Sequence, residues 1–207
     1  MVEKNITEVL NLLEEMHPEA KCELDFETPM QTLVAVILSA QCTDKRVNIV
    51  TKPIFEKYKT AKDFASIPIK DLEEMIKPCG FYRNKAANIS KCAKQILDEY
   101  NGEVPNTQEE LQKLAGVGRK TANVVYAEVY GGDAIAVDTH VKRVSNRLGL
   151  AKSDDPEEVE KQLMKLIPKE KWSRAHHLLI FFGRYTCKAI NPSCGCCKLQ
   201  KYCIKGK

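Results

Sequence analysis

Seven consecutive residues, Leu114-Ala115-Gly116-Val117-Gly118-Arg119-Lys120, set two glycines around a valine and deliver two cations into the first turn of a helix running to about Tyr130. The unpaired N–H groups of a helix N-terminus carry partial positive charge, so the macrodipole disfavours cations there. Such a placement asks for an anion, or for a lysine amine that acts without its proton. Gly116 and Gly118 can take φ > 0 and let a backbone approach closely, while Val117 plugs the junction. The N–H groups of such a turn can hold a phosphate without reading a base. The competing reading is an ordinary αα-hairpin with a solvated basic end.

A second group with chemistry is Cys187-x6-Cys194-x2-Cys197-x5-Cys203, four thiols within 17 residues on turns supplied by Asn191-Pro192 and Gly195. Four thiolates so spaced can converge on a 4Fe-4S cluster or a structural zinc. Ribbon-type zinc sites show two C-x2-C pairs and this chain has one, which favours iron–sulfur. Cys196 is an alternative ligand. Cys22, Cys42, Cys79 and Cys92 are scattered and read as small core hydrophobes.

The third is Asp138-Thr139-His140-Val141, which follows the apolar run Ala134-Ile135-Ala136-Val137 and opens a helix through Leu148. Asp138 suits an N-cap. A carboxylate is also what a nucleophilic amine such as Lys120 needs for proton transfer and cation stabilisation. His140 reads either as an exposed helix-start histidine or as a phosphate or base contact.

The elements that must position these groups are helical. Val9, Leu10, Leu12, Leu13 and Met16 mark a first helix; Thr28-Pro29 caps another over 30–40; Ile89, Ala93, Ile96 and Leu97 mark a third. Further helices are expected at 44–58, 69–77, 155–167 and 172–186, and Thr107-Gln108-Glu109-Glu110 reads as a capping box. Val36-Ile37-Leu38 and Val124-Val125 lie inside longer helical patterns without alternation, so no strand is predicted and the class is all-α. Turn-rich connections at 21–28, 101–106 and Gly131-Gly132-Asp133 are the natural boundaries.

The net charge of +4 over 207 residues does not argue nucleic-acid binding, but its distribution is uneven. Residues 184–207 hold Arg184, Lys188, Lys198, Lys201, Lys205 and Lys207 without an acid, and a second acid-free stretch holds Lys142, Arg143, Arg147 and Lys152. Such patches are either electrostatic footprints for polyanions or solvated faces. The start Met1-Val2-Glu3-Lys4-Asn5 is polar and the longest apolar run, 33–38, is too short to span a bilayer, so a soluble intracellular protein is expected. Nine cysteines, five of them in the last 21 residues, argue for a local metal site rather than a secreted disulfide framework.

Leu38-Ser39-Ala40-Gln41-Cys42-Thr43-Asp44, Asn101-Gly102-Glu103-Val104-Pro105, residues 114–125 and 135–141, His176-His177-Leu178, Gly183-Arg184-Tyr185-Thr186-Cys187 and the four spaced cysteines together resemble the endonuclease III family. These are bifunctional DNA glycosylase/lyases of base-excision repair in the helix-hairpin-helix superfamily. The resemblance implies two all-α domains: a six-helix barrel at about 22–132 with the helix-hairpin-helix at about 107–130, and an iron–sulfur cluster domain of 1–21 plus 133–207, with duplex DNA entering between them. It implies Lys120 as nucleophile and Asp138 as the family aspartate. Gln41 would be inserted where a damaged nucleotide leaves the stack and Phe81 would be a wedge beside it. Gly116, Gly118, Arg119, His140, Arg184 and Lys188 would be DNA contacts, and Cys187, Cys194, Cys197 and Cys203 would hold a 4Fe-4S cluster. The expected reaction removes oxidised pyrimidines and cuts the strand by β-elimination through a Lys120 Schiff base, in a monomer of the cytoplasm and nucleoid with no membrane partner. Phe81 stands where a smaller aliphatic is expected and Gln112 where an acid is common; Cys42 and Cys196 are also atypical. A mismatch glycosylase of the same fold is opposed by Lys120 and by a length that leaves no room for the extra C-terminal domain of adenine-excising relatives. A non-catalytic cluster-bearing DNA-binding module is separated from the enzyme by Lys120 and Asp138 alone.

Overall fold

The computed structural model describes residues 5–204, so Lys205 and Lys207 of the basic tail and the first four residues lie outside the described residues. Among the described residues every regular element is helical: α1 (Ile6–Met16), α2 (Pro29–Ser39), α3 (Asp44–Lys57), α4 (Ala61–Ser66), α5 (Ile69–Ile76), α6 (Tyr82–Glu99), α7 (Gln108–Leu111), α8 (Arg119–Tyr130), α9 (Thr139–Arg147), α10 (Pro156–Leu166) and α11 (Trp172–Phe181). No helix is long and apolar enough to cross a membrane among these residues.

The helix starts follow from side-chain acceptors for first-turn N–H groups. Thr28 accepts the Gln31 N–H with Pro29 in the first turn, Thr43 accepts that of Arg46, and Asp155 accepts that of Glu157 ahead of a proline. The expected capping box at Thr107 is half made. Its hydroxyl accepts the Glu110 N–H but donates to the Glu110 carboxylate at 3.0 Å, so that carboxylate takes a side-chain donor instead of the backbone. The complete box lies at Thr60, where the Asp63 carboxylate accepts the Thr60 N–H at 2.9 Å and opens a short helix the periodicity did not reveal.

The expected helix over 172–186 changes pitch. After Phe181 the chain widens into a π turn, Phe182–Thr186, and the Cys187 N–H donates to the Phe182 carbonyl at 2.6 Å. Such a turn inserts one extra residue and re-aims whatever follows it, here Cys187.

The chain folds as two compact units, Glu23–Gly132 and the residues up to Cys22 together with those from Asp133 onward. In Glu23–Gly132, α6 packs across α4 and α5, and α2 against α8, around Leu33, Leu38, Phe64, Leu72, Ile89, Ile96 and Leu111. The buried Gln31 amide bridges this core to the end of α3, donating to the Phe55 and Tyr58 carbonyls at 2.9 and 3.0 Å.

In the other unit, α1 supplies Val9 and Leu13 to a core shared with Ile135, Val141, Val144, Leu163, Leu179 and Phe182. Arg174 ties the segment after α1 to α11 by donating to the Pro18 and Ala20 carbonyls and the Glu14 carboxylate. The buried His17 ring meets the Thr186 hydroxyl at 3.0 Å, linking α1 to the π turn. Leu13 is fully buried. Leu13→Ala is therefore expected to lower unfolding stability in urea by about 2–5 kcal/mol; a loss below about 0.5 kcal/mol, the size of a surface substitution, would show that α1 is not docked.

Candidate functional site

The hairpin between α7 and α8 is anchored from both sides. Leu114 and Val117 are buried in the core of their unit, and the Ala115 N–H donates to the Gln95 side chain on α6 at 2.8 Å. Gly116 sits at φ +76°, and a Cβ there would lie 2.7 Å from the Asn88 Cβ, so both conformation and space demand glycine. Gly118 differs from expectation: its φ is −88° with extended ψ, the ordinary geometry of an N-cap, because one left-handed residue suffices to turn the chain. Gly118 brings no side chain to cap α8, so the N–H groups of that first turn face outward beside exposed Arg119 and Lys120.

Two more expected contact residues share this unit. Gln41, beyond the end of α2, and Phe81, immediately before α6, are both exposed and both left-handed, with φ of 54° and 47°. Non-glycine residues occupy that region at a cost, and such residues cluster at working sites. Phe81 is 64% exposed, a large apolar ring in water. Behind them lies Lys85, buried on the core face of α6, whose ammonium donates to the Leu38 and Cys79 carbonyls at 2.9 Å each. Burial lowers its pKa, opposed by the neighbouring Cys42 and Cys79 thiols. Burial and then Cys42 push the Cys79 thiol up to about 11, which keeps it neutral. Sequence reasoning missed Lys85, although its position one turn before Ile89 places it on the apolar stripe.

The remaining site residues belong to the other unit. Asp138 caps α9: one carboxylate oxygen, Oδ1, accepts both the His140 and Val141 N–H groups at 2.8 Å. Among the described residues no donor bonds its Oδ2. The extended run before it, Ala134-Ile135-Ala136-Val137, is buried and holds Asp138 at the surface of the core. Gly183 lets the π turn press on α9, since a Cβ there would lie 2.9 Å from the His140 Cβ.

The acid-free stretch on α9 is not a free polyanion footprint. Arg143 donates to the Gly183 and Cys187 carbonyls at 2.8 and 3.1 Å and meets the His140 ring at 3.3 Å. Arg147 donates to the Lys188 carbonyl at 2.7 Å, the Ala189 carbonyl at 3.3 Å and the Cys187 sulfur at 3.3 Å. Burial, reinforced by Arg147, lowers the Arg143 pKa. The basic tail is also partly neutralised: Lys198 pairs with Glu15 at 2.9 Å and Lys201 with Glu8 at 2.5 Å, both acids on α1. Lys188 stays exposed on the loop that Arg147 holds.

That loop closes over a cavity of about 230 Å³ whose walls include Cys187, Cys194, Cys197 and Cys203, with Arg147, Leu148 and Phe182 behind them. The four thiols feel one another: burial raises the Cys197 pKa, and the charges of Cys187, Cys194 and Cys203 raise it further. Cys196 lies outside this set, exposed, its thiol donating to the Ser193 carbonyl at 3.4 Å. Among the described residues no three His, Cys, Asp or Glu side chains converge on a point that a single metal ion would fill.

Residues 34–169 match the family model described as HhH-GPD superfamily base excision DNA repair protein. The chain is 53% identical to endonuclease III of Bacillus subtilis over 205 residues, covering 99% of this chain and 94% of that one. It belongs to the endonuclease III family. Endonuclease III of Escherichia coli is 42% identical over 196 residues, 95% of this chain and 93% of the other. A solved structure of a trapped endonuclease III–DNA covalent intermediate, an estranged-adenine complex, matches with TM-score 0.95 at 54% identity, covering 100% of this chain and 97% of that one. A thermostable thymine-DNA glycosylase matches with TM-score 0.89 at 23% identity and shares the fold.

In this endonuclease III family chain the hairpin turn demands glycine at position 116 by both conformation and space. Gly116→Ala is expected to cost more than the ~1 kcal/mol of a simple Gly-to-Ala change in a left-handed site, because Asn88 must also move. Thermal unfolding would register it as a clear drop in Tm, whereas Gly118→Ala, with open space around its Cβ, should change Tm little.

Proposed function

We propose that this chain is a base-excision DNA glycosylase with AP lyase activity toward oxidised pyrimidines in duplex DNA, and that Lys120 is its nucleophile. The observation that carries the reading is the full-length match at 54% identity to an endonuclease III trapped covalently on DNA. In this chain the exposed amine at the start of α8, just after the Gly116 turn, is the group chemically suited to such a bond.

The hairpin N–H groups and Arg119 hold the phosphate backbone, while Gln41 and Phe81 enter the stack as the damaged nucleotide leaves it, at a cost of about a few kcal/mol that damage reduces. The neutral Lys120 amine attacks C1′ and the glycosidic bond breaks, the base departing with its electron pair and a proton. The ring-opened sugar and Lys120 form an iminium, which acidifies C2′. Loss of a C2′ proton then expels the 3′ phosphate by β-elimination. An amine forms that iminium and a hydroxyl could not replace it. Asp138 serves twice: Oδ1 caps α9, and Oδ2 stabilises the developing sugar cation or carries the proton. His140, Arg184 and Lys188 contact the DNA backbone.

The residues around the thiol cavity suit a 4Fe-4S cluster. Four soft thiolates line a space of about 230 Å³, and the single C-x2-C pair favours a cluster over a ribbon-type zinc. Cys187, Cys194, Cys197 and Cys203 would hold the cluster and Arg147 would donate a hydrogen bond to the Cys187 sulfur. Its contribution would be structural, cross-linking the loop that carries Lys188.

Borohydride is expected to trap the protein on DNA containing thymine glycol or an abasic site, and Lys120→Gln to abolish trapping and strand cleavage while DNA binding persists. Normal nicking by that variant would overturn the assignment. Asp138→Asn keeps the cap, so Tm should barely move while base excision falls by orders of magnitude; full activity would reduce Asp138 to a cap. Elemental analysis should find about four iron and four sulfide per chain, retained in Cys196→Ser. One zinc and no iron would exclude the cluster.

A further inference from the structure

Lys85 is a cation placed where an aliphatic residue belongs. It lies on the face of α6 that also buries Ile89, Cys92, Ala93 and Ile96, and it is only 6% exposed. A buried ammonium is tolerated when its N–H groups find acceptors. Here two are taken by carbonyls from segments 41 residues apart in sequence, Leu38 in the last turn of α2 and Cys79 at the end of the 3-10 turn Lys77–Cys79. Among the described residues no carboxylate pairs with it. Both carbonyls mark places where a helical segment stops, and three residues beyond one is Gln41, two beyond the other is Phe81. Each of those is exposed and held in a left-handed conformation that an untethered chain leaves readily.

We propose that Lys85 is a positioning residue for nucleotide extrusion, its ammonium tying the Gln41 loop to the Phe81 loop so that the two side chains are presented together at a fixed spacing. The inference rests on the glycosylase reading above, in which those two side chains enter the DNA stack. A single amine with three donors can bridge two carbonyls that point at one spot, which an apolar side chain cannot do and a carboxylate would repel. The bridge fixes where both loops leave the core before DNA arrives, so the insertion does not have to order them first.

The test is single-turnover excision by Lys85→Met, which keeps the apolar stem and loses the donors. Three substrates are compared: thymine glycol in fully paired duplex, the same lesion unpaired in a bulge, and borohydride trapping on single-stranded abasic DNA. Displaced loops should slow the paired substrate by about tenfold or more, while the two substrates that need no extrusion stay within about threefold of wild type. In a Gln41→Ala, Phe81→Ala background the same change should add nothing further, because the groups it positions are gone. Lys85→Arg keeps buried N–H donors for the two carbonyls, guards against simple unfolding, and should lie nearer wild type than Lys85→Met on the paired substrate. Wild-type rates on paired duplex from folded Lys85→Met, or equal slowing on all three substrates, would overturn the proposal. A wild-type protein inert on all three would instead overturn the glycosylase reading itself.

Discussion

A backbone carbonyl that leaves the last turn of a helix with no N–H partner, away from water, has few ways to be satisfied. In this chain Lys85 does it at the ends of α2 and of the 3-10 turn Lys77–Cys79, and arginines serve carbonyls in the chain beyond α1 and around the π turn. Lys85 serves Leu38 and Cys79; Arg143 and Arg147 serve Gly183, Cys187, Lys188 and Ala189; Arg174 serves Pro18 and Ala20. Hydrogen bonds from charged donors are stronger than neutral ones, contributing about 1.5–3 kcal/mol each. In two of these three places the segment being held carries residues with a proposed role: Gln41 and Phe81 in one unit, Cys187 and Lys188 in the other.

This use of cations changes the meaning of the charge pattern. Arg143 and Arg147 are turned onto the loop after the π turn, and Lys198 and Lys201 are matched by Glu15 and Glu8. The exposed pairs contribute little stability in water. Their effect is to leave fewer cations for a polyanion; under the proposed function, backbone recognition would fall to Arg119, His140, Arg184 and Lys188 and to the uncapped N–H groups of α8. A phosphate held in that way is held without regard to base sequence, which suits an enzyme that must inspect any site.

In the proposed function Asp138 would join a structural and a chemical role in one residue. Oδ1 takes both cap hydrogen bonds, so the helix start is satisfied by half of the carboxylate. Gly116 makes the turn, whereas Gly118, at an ordinary φ, leaves the start of α8 without a side-chain cap. The left-handed Gln41 and Phe81 are the opposite case, conformations with a local cost that the surrounding tether maintains.

Much of this was legible in the sequence because its physics is local. The 3.6-residue period of Val9, Leu13, Ile89 and Ile96 declares helices, and Thr28-Pro29, Asp138 and Asp155-Pro156 declare where they start, since a cap acts within three residues of itself. The cysteine spacing and the Gly116 turn are likewise short-range. What the tertiary structure alone decided involves partners far apart in the chain: Lys85 with Leu38, Arg147 with Cys187, Lys201 with Glu8. A basic residue reads the same in sequence whether it faces solvent, a carboxylate or a buried carbonyl. The π turn after Phe181 escaped for a related reason. Its extra residue is set by where α9, through Gly183 and Arg143, requires Cys187 to be, and no helical period records that demand.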